Sequence, residues 1–353
     1  MSNNLVGAVT LNLALDITYD VDALEVGASH RVRTVRQRAG GKGVNVARVA
    51  LVLGYDVLAL GFVGGMTGEL IAGDLFDAGL TALLTPIAGE SRRSVAVVDM
   101  RAGDATVFNE PGPVVGEDEW RAFCDRLPWS RLGVLACSGS LPPGLPGDAY
   151  AELTARAHHH GVPAVIDAGG AALTASAKAG AIVRANATEV REAWAAGMLH
   201  GPDEAGAGSA RLRDGGPDAP QGGAGSRDGE PVVGEAETTL SLALEVADGA
   251  RWLLESGAAA AVITDGAAGM VAATPDGVWR AMPVERVRGN PTGAGDACTA
   301  VVAAAVATGN KDWPAVLRSA VAASAAAVLT PVAGDIDLDA YRRWSPDVVV
   351  HAV

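Results

Sequence analysis

The sequence has few aromatic side chains and no long uninterrupted apolar stretch, and both shortages narrow the class of protein. Aromatic residues make up 4% of the 353 residues, although apolar residues in total reach 49%. An interior built mainly from Ala, Val and Leu is typical of helices packed on a parallel sheet, and it excludes disorder of the whole chain. We therefore expect one α/β domain over residues 1–353.

Membrane and disulfide signals are also missing. No apolar run reaches the roughly 18 residues that a membrane-spanning helix needs, and the first residues lack the basic, then apolar, pattern of a signal peptide. We expect a cytoplasmic protein without a membrane partner. The cysteines Cys124, Cys137 and Cys298 are odd in number and lack CxxC spacing, so neither a disulfide framework nor a zinc site is predicted.

Basic residues are outnumbered by acidic ones, with 27 Lys and Arg against 41 Asp and Glu, so the formal net charge is −14 at pH 7. Such a surface repels nucleic acid and anionic lipid at long range, so we expect no nucleic-acid partner. An anionic ligand must then be held by cations and N–H groups at one place on the protein.

Short apolar runs alternate with helical patterns along the chain, which predicts βαβ units and a parallel sheet. The strand-like runs are 133–136, 164–167, 181–184 and 260–264. The helical patterns are 44–53, 148–160, 188–196, 240–256, 297–307 and 315–329. Ligands of open α/β sheets bind beyond the carboxyl ends of the strands, so we expect the chemistry in the loops that follow these runs.

Three segments depart from the alternation. Residues 11–38 and 94–109 are short extended pieces with polar turns, and they predict a small accessory β-sheet that acts as a lid. Residues 201–234 are rich in Gly and Pro and poor in large aliphatics. Such a low-complexity composition indicates a surface insertion between two helices, with a regulatory docking segment as the alternative.

The stretch Asn290-Pro-Thr-Gly-Ala-Gly-Asp296 directly precedes a helical pattern. Small residues let the backbone approach a ligand, and a helix N-terminus presents free N–H groups to an anion. The backbone of 293–295 therefore suits a transferring phosphoryl group, and the carboxylate of Asp296 suits a base that takes a proton from an attacking hydroxyl. The alternative is that Asp296 simply caps the helix.

A second glycine-rich stretch, Gly40-Gly-Lys-Gly-Val-Asn45, also precedes a helical pattern. Lys42 offers a cation and Asn45 an amide that both donates and accepts, which suits a polyol carrying a phosphate. The stretch is neither a GxxxxGK[ST] loop nor a GxGxxG turn, so P-loop and dinucleotide-binding functions lose their main support. A purely structural turn is the alternative.

Together and in this order, the two stretches resemble the ribokinase-like sugar kinases of the PfkB family, and within it the 1-phosphofructokinase and tagatose-6-phosphate kinase branch. Further matching segments are Thr10-Leu-Asn-Leu-Ala-Leu-Asp16, Gly61-Phe-Val-Gly-Gly65, Glu90-Ser-Arg-Arg93, Asn109-Glu-Pro-Gly-Pro113, Ser138-Gly-Ser-Leu-Pro-Pro-Gly144, Asn186-Ala-Thr-Glu189 and Thr264-Asp-Gly-Ala-Ala-Gly269. The resemblance implies a three-layer ribokinase-like fold, in which a central, mainly parallel sheet carries a small β lid.

The resemblance also implies a role for each matched position, with ATP and Mg²⁺ as cofactors. The catalytic set is Asp296 as the base with Gly293, Ala294 and Gly295 as the anion hole. The residues for the sugar phosphate are Asp16, Gly41 and Asn45 for hydroxyls and Lys42 and Arg92 for the phosphate. The residues for the nucleotide are Asn186, Thr264, Gly266 and Gly269, and Glu189 serves with Asn186 to position Mg²⁺ and its waters.

Three departures from the family pattern affect the substrate more than the catalytic set. Leu13 stands where the family usually has Pro, Ser94 stands where Asn is common, and Arg184-Ala185 replaces a frequent Lys-Pro. Ser94 shortens a side chain near the expected phosphate site.

The implied reaction is transfer of the ATP γ-phosphoryl group to a hydroxyl of a sugar phosphate. Fructose 1-phosphate, giving fructose 1,6-bisphosphate, is the first choice of acceptor, followed by fructose 6-phosphate and tagatose 6-phosphate. A kinase for an unphosphorylated sugar or nucleoside is a rival interpretation, and a non-catalytic sugar-phosphate-binding regulator is another. A lid sheet with an uncovered face predicts a homodimer that pairs lid against lid.

Overall fold

The main sheet of the computed structural model, which describes residues 4–199 and 246–353, contains ten strands. Numbered in chain order through both sheets, they are β1 (Leu5–Thr10), β4 (Val57–Val63), β5 (Ala82–Pro86), β8 (Leu132–Ser138), β9 (Ala164–Asp167), β10 (Ile182–Asn186), β11 (Ala260–Thr264), β12 (Met270–Thr274), β13 (Gly277–Ala281) and β14 (Val350–Ala352). Their spatial order is β14-β13-β12-β11-β10-β9-β8-β1-β4-β5. The strands from β11 to β5 run parallel, and β12, β13 and β14 continue the sheet in antiparallel fashion.

Helices cover both faces of this sheet. They are α1 (Lys42–Val52), α2 (Gly65–Asp77), α3 (Glu117–Arg126), α4 (Ala149–His159), α5 (Gly170–Lys178), α6 (Ala187–Leu199), α7 (246–255), α8 (Ala294–Ala307), α9 (Trp313–Val328) and α10 (Leu338–Trp344). One hydrophobic core joins the sheet to α1, α2, α8, α9 and α10, and a second core joins its other face to α3 through α7. The predicted three-layer α/β fold is confirmed.

The two segments predicted to form an accessory sheet, 11–38 and 94–109, contribute to a separate four-stranded sheet. Its strands are β2 (Ala14–Val21), β3 (Thr34–Gly40), β6 (Arg92–Asp99) and β7 (Asp104–Asn109), in the spatial order β3-β2-β6-β7. The edge strand β7 is exposed along its whole length, and Val107 and Phe108 in it are 51% and 59% exposed. The small β-sheet predicted for these segments is therefore present.

Several helices begin earlier than the sequence pattern indicates, and two of these shifts change the site. The helix predicted from residue 44 begins at Lys42, and the helix predicted from residue 297 begins at Ala294. Gly41 and Gly293 are the N-caps, with φ of 110° and 90°, which favours glycine at both positions. Lys42 and Asp296 consequently lie in the first turns of helices instead of in the loops before them.

Parts of the predicted organisation fall outside the described residues. This applies to the 201–234 insertion and to the first six residues of the helix predicted over 240–256, while the described remainder of that helix, 246–255, is helical. Among the described residues, no helix is long and apolar enough to cross a membrane.

Candidate active site

Two cavities of about 800 Å³ each open at the edge where the carboxyl ends of the parallel strands meet. Residues that line the first cavity include Thr10, Asn12, Gly41, Lys42, Arg92 and Ser140. Residues that line the second cavity include Arg184, Asn186, Thr264, Gly266, Gly269 and Gly295. The sheet thus brings most of the predicted binding residues into two adjoining spaces.

Asp296 is held at the start of α8 by a residue from the other end of the chain. Its side chain is buried, and its Oδ2 atom accepts a hydrogen bond of 2.8 Å from Nδ2 of Asn45. Gly293, not Asp296, is the N-cap of α8. The carboxylate of Asp296 is therefore not the N-cap of this helix, which was the alternative to its role as a base.

The electrostatic environment favours a protonatable carboxylate at this position. Burial, followed by the nearby negative charge of Asp167, raises the pKa of Asp296 from 3.8 to about 6. The hydrogen bond from Asn45 and the positive charges of Lys42 and Arg184 oppose this rise. A carboxylate with such a pKa is still mostly ionised at pH 7, which is the form a general base needs.

Residues 293–295 form the N-cap and the first two residues of α8, and packing explains their composition. A Cβ atom on Gly293 would lie 2.9 Å from Cα of Ala333, at a φ that L side chains rarely adopt. A Cβ atom on Gly295 would lie 2.3 Å from Nη2 of Arg184. Ala294 and Gly295, the first two residues of α8, line the second cavity, so the positive end of the helix dipole borders this cavity. The N–H group of Ala294 itself donates to the backbone oxygen of Pro291 at 3.2 Å.

The first cavity contains the two predicted phosphate-binding cations. Lys42 and Arg92 both line it, and Arg92 donates from Nε to the backbone oxygen of Asn12 at 3.1 Å. The Lys42 ammonium lies 3.4 Å from Asp167, whose negative charge raises the pKa of Lys42. Burial lowers the pKa of Arg92, as expected for a guanidinium partly removed from water.

Asp16 lies on β2, within electrostatic reach of Arg92. Burial raises its pKa from 3.8 to about 6, against the positive charges of Arg92, Arg38 and Arg48, which lower it. A Cβ atom on Gly40 would lie 1.9 Å from Oδ2 of Asp16, so glycine at position 40 leaves room for this carboxylate.

The second cavity contains the predicted nucleotide-binding residues Thr264, Gly266 and Gly269. Asn186 also lines this cavity, and it exchanges two hydrogen bonds with Glu189. The backbone N–H of Asn186 donates to Oε2 of Glu189 at 2.8 Å, and the backbone N–H of Glu189 donates to Oδ1 of Asn186 at 2.9 Å. This pattern caps α6, as a first-turn acid does, and leaves Oε1 of Glu189 3.9 Å from the Lys42 ammonium.

Sequence reasoning did not find the buried ion cluster between the two cavities. Asp167, at the end of β9, has no exposed side-chain area and accepts hydrogen bonds from Nη1 of Arg184 at 3.2 Å and from Oγ1 of Thr299 at 2.9 Å. Burial would raise the pKa of Asp167, but the charges of Arg184 and Lys42 lower it. The available signal was a carboxylate that directly follows the apolar run Ala164-Val-Ile, at the strand end where ligands bind.

Known proteins share the fold described above. The chain matches the family described as pfkB family carbohydrate kinase over residues 9–207 and 232–339. It is similar in structure to phosphofructokinase-2 from Escherichia coli in complex with fructose-6-phosphate, with 23% identity and a TM-score of 0.76 over 98% of this chain and 99% of that one.

Two further solved structures are similar over nearly their full lengths. A possible 1-phosphofructokinase from Thermotoga maritima has 22% identity and a TM-score of 0.76, with 99% of each chain covered. The ribokinase from Arabidopsis thaliana complexed with ribose and ATP has 17% identity and a TM-score of 0.66, with 98% of this chain and 99% of that chain covered. At these identities the three similarities show a shared fold.

Proposed function

Since this chain belongs to the pfkB family of carbohydrate kinases, we propose that it transfers the γ-phosphoryl group of ATP to a hydroxyl of a sugar phosphate. Fructose 1-phosphate is the proposed acceptor and fructose 1,6-bisphosphate the product. One observation carries the proposal. The buried carboxylate of Asp296 lies within electrostatic reach of Lys42, which lines the first cavity, and in the first turn of a helix whose first residues line the second cavity.

The first cavity suits the acceptor. Lys42 and Arg92 supply two positive charges there. Lys42 already has Asp167 as an ionic partner, whereas Arg92 donates hydrogen bonds to the backbone oxygens of Asn12 and Glu110, so the partly buried guanidinium of Arg92 still needs an anionic partner. A phosphate group meets this need, whereas an unphosphorylated sugar or nucleoside does not. We assign the sugar hydroxyls of the same ligand to Gly41, which lines this cavity, to Asp16, which interacts with Arg92, and to Asn45, which contacts Asp296.

The second cavity suits the nucleotide. Thr264, Gly266 and Gly269 line it with little or no side chain, and the positive end of the α8 dipole favours an anionic phosphate chain there. Asn186 also lines this cavity, and Glu189, three residues further along the chain, lies 3.9 Å from the Lys42 ammonium.

In the proposed reaction the acceptor hydroxyl loses its proton to Asp296 as its oxygen bonds to the γ-phosphorus. The bond from that phosphorus to the β–γ bridging oxygen breaks, and its electron pair leaves with ADP. The N–H groups of Gly293 and Gly295 and the positive end of the helix stabilise the negative charge on the transferring group, whereas the N–H of Ala294, also predicted for this role, donates to Pro291 instead. Closure of the small sheet over the first cavity excludes water that would otherwise accept the phosphoryl group.

The residues near Lys42 fit Mg²⁺ that is held mainly by the nucleotide and by water. The described residues contain no cluster of three or more His, Cys, Asp or Glu placed to bind a metal. Mg²⁺ in kinases commonly uses one or two carboxylates together with phosphates and waters, and Oε1 of Glu189 with Asn186 beside it supplies such a partner. The bound ion neutralises charge on the phosphates.

A panel of acceptors tests the proposal in a coupled assay of ADP release. We expect kcat/KM to be highest for fructose 1-phosphate, lower for fructose 6-phosphate and tagatose 6-phosphate, and negligible for unphosphorylated fructose and nucleosides. A higher kcat/KM for either 6-phosphate would move the assignment to that substrate. Tight binding of sugar phosphates without turnover would indicate the regulator instead, although the base and the anion-hole glycines of a kinase are present.

We further propose that two copies pair through their small sheets. Val35, Val107 and Phe108 are each more than half exposed on that sheet. An exposed sheet edge and uncovered apolar side chains favour association with an identical surface.

A further inference from the structure

The small sheet contains a carboxylate and a guanidinium that face each other without pairing. Asp16 of β2 lies in register with Arg38 of β3, so both side chains project from the same face of the sheet. Directly opposite side chains of opposite charge normally attract each other across two strands. Nevertheless, no described residue donates a hydrogen bond to the carboxylate of Asp16, and the guanidiniums of Arg92, Arg38 and Arg48 act on it only through their charge.

A second arginine on the same strand shows that such a pair can form between β3 and β2. Arg36 precedes Arg38 by two residues and therefore projects from the same face. Its Nη1 and Nη2 atoms donate to the two carboxylate oxygens of Asp20 on β2, at 2.6 and 2.8 Å. The geometry of the two strands thus permits an ion pair, and a different cause must keep Arg38 from Asp16.

The partner of Arg38 belongs to the main domain. Nη2 of Arg38 donates to Oδ1 of Asp335 at 2.6 Å, in the segment between α9 and α10. Local hydrogen bonds fix the backbone of this segment. The N–H of Asp335 donates to the backbone oxygen of Val332 at 3.3 Å, and the backbone oxygen of Asp335 accepts from Oγ1 of Thr330 at 3.3 Å. Asp335 therefore presents its carboxylate to Arg38 from a fixed position, in competition with Asp16.

We propose that Asp335 is a positioning residue, which binds Arg38 and thereby leaves the carboxylate of Asp16 unpaired for the hydroxyls of the acceptor. This role rests on the proposed kinase function. Without Asp335, the released guanidinium of Arg38 would pair with the carboxylate directly opposite it. The acceptor could then bind only to the fraction of molecules in which this pair is open, and its apparent affinity would fall by that fraction.

The ion pair between Arg38 and Asp335 contributes little to folding, which makes its effect on binding measurable. The two side chains are 23% and 48% exposed, and the ion pairs of exposed side chains add little to the free energy of unfolding. A structural defect in this segment would have a different effect. A Cβ atom on Gly334 would lie 2.8 Å from Oδ1 of Asn45, the residue that holds the proposed base Asp296. A shift of the segment would therefore change kcat, whereas release of Arg38 changes the KM for the acceptor.

Four variants separate this role from a structural one. Asp335→Ala releases the guanidinium, Arg38→Gln removes it, and the double variant Arg38→Gln/Asp335→Ala removes both partners. Arg36→Gln is the matched control, because it breaks the ion pair with Asp20 on the same face of the small sheet and leaves Asp16 untouched. Each variant is assayed for kcat and for the KM of fructose 1-phosphate and of ATP. Its Tm is measured, and its Kd for fructose 1-phosphate is determined by calorimetric titration.

We expect Asp335→Ala to raise the KM and the Kd of fructose 1-phosphate by about five- to tenfold, with kcat, Tm and the KM for ATP close to wild type. The other three variants should stay within about twofold of wild type, because none of them releases the guanidinium of Arg38. A KM in the double variant that stays as high as in Asp335→Ala would overturn the proposal, since the loss would then come from the segment itself. An unchanged KM in Asp335→Ala, or a fall in kcat in place of a rise in KM, would also overturn it.

Failure of the kinase function is a separate outcome. Wild-type protein that binds fructose 1-phosphate without phosphorylating it would refute the kinase function, and the Kd values of the same four variants would still decide the role of Asp335.

Discussion

Asn45 and Asp296 lie 251 positions apart in the chain, yet Nδ2 of Asn45 donates a 2.8 Å hydrogen bond to Oδ2 of Asp296. This bond joins the two glycine-rich stretches into one site, because each residue stands in the first turns of the helix that follows its stretch. It fixes the orientation of the carboxylate and stabilises its ionised form. The same contact therefore positions the proposed base and limits the rise of its pKa.

The pH dependence of turnover should follow the ionisation of this carboxylate. Because the pKa of Asp296 is raised to about 6, the basic form is lost as pH falls through that value. We expect kcat to be nearly constant between pH 7 and 8 and to decrease on the acid side with a midpoint near 6. A rate profile measured at saturating ATP and fructose 1-phosphate checks this, and a midpoint near 4 would contradict it.

Asn45→Ala should move that midpoint to higher pH. The amide hydrogen bond lowers the pKa of Asp296, so its removal leaves burial and the charge of Asp167 less opposed. The acid limb of kcat is the measurement, with Asn310→Ala as a control for loss of an amide outside the site. An unchanged midpoint in Asn45→Ala would mean that the observed limb belongs to another group, and Asp16, whose pKa is also raised to about 6, is the first to examine.

Arg92→Ala should raise the KM for the sugar phosphate far more than the KM for ATP. Arg92 lines the first cavity, and a charge-assisted contact to phosphate is lost with it. Arg93→Ala is the matched control, because the neighbouring strand residue points to the opposite side and its guanidinium contacts Thr67 instead. Steady-state kinetics with each substrate varied decide the matter, and equal effects on both KM values would refute the acceptor role of Arg92.

Asp296→Asn should stabilise the protein at neutral pH. Between pH 3.8 and about 6 the folded protein binds more protons at this site than the unfolded chain, so wild-type stability decreases as pH rises through that window. Above pH 6 the ionised carboxylate has lowered the free energy of unfolding by on the order of 2–3 kcal/mol at most. The neutral side chain in Asp296→Asn does not cause this loss. Tm at pH 7.5 and pH 4 checks this, with a gain of several degrees expected at pH 7.5 only. A loss of stability at pH 7.5 would contradict the assigned burial of the carboxylate.

Phe108→Asp should convert the proposed dimer into monomers. The side chain is 59% exposed on the small sheet, where a charge would oppose burial against a second copy. Phe76→Asp is the matched control, since Phe76 is 81% exposed on α2 in the main domain. Light scattering coupled to gel filtration should give twice the chain mass for wild type and Phe76→Asp and the chain mass for Phe108→Asp. A wild-type monomer would rule out the lid interface.

The sequence was most informative where local chemistry decides the structure. The glycine-rich stretches were predictable because a turn with positive φ before a helix needs glycine, as at Gly41 and Gly293. The parallel sheet followed from buried apolar runs such as 164–167, which appears as a strand with the predicted bounds. The helix α2 was missed, because it begins at Gly65 and contains two further glycines, which have low helix propensity.

The ion cluster was harder to predict, because it depends on which strands become neighbours. Asp167, Arg184 and Thr299 meet only after β9, β10 and α8 have packed together. The sequence did indicate that an ion pair was needed, because Arg184 interrupts the otherwise apolar run 182–185 and a charged residue in a buried strand needs a partner. The sequence did not identify that partner, because strand register is a long-range property.

The most direct test of the account is the kcat of Asp296→Asn with ATP and fructose 1-phosphate, alongside calorimetric titration of both ligands. The substitution keeps size and the contact with Asn45 but removes the ability to accept a proton. We expect near-normal binding and a kcat lower by roughly 10²–10⁴-fold, the usual contribution of a general base. The control Asp339→Asn changes an exposed first-turn aspartate of α10 and should leave kcat unchanged. More than about a tenth of wild-type kcat in Asp296→Asn, with chemistry rate-limiting, would contradict the general-base role.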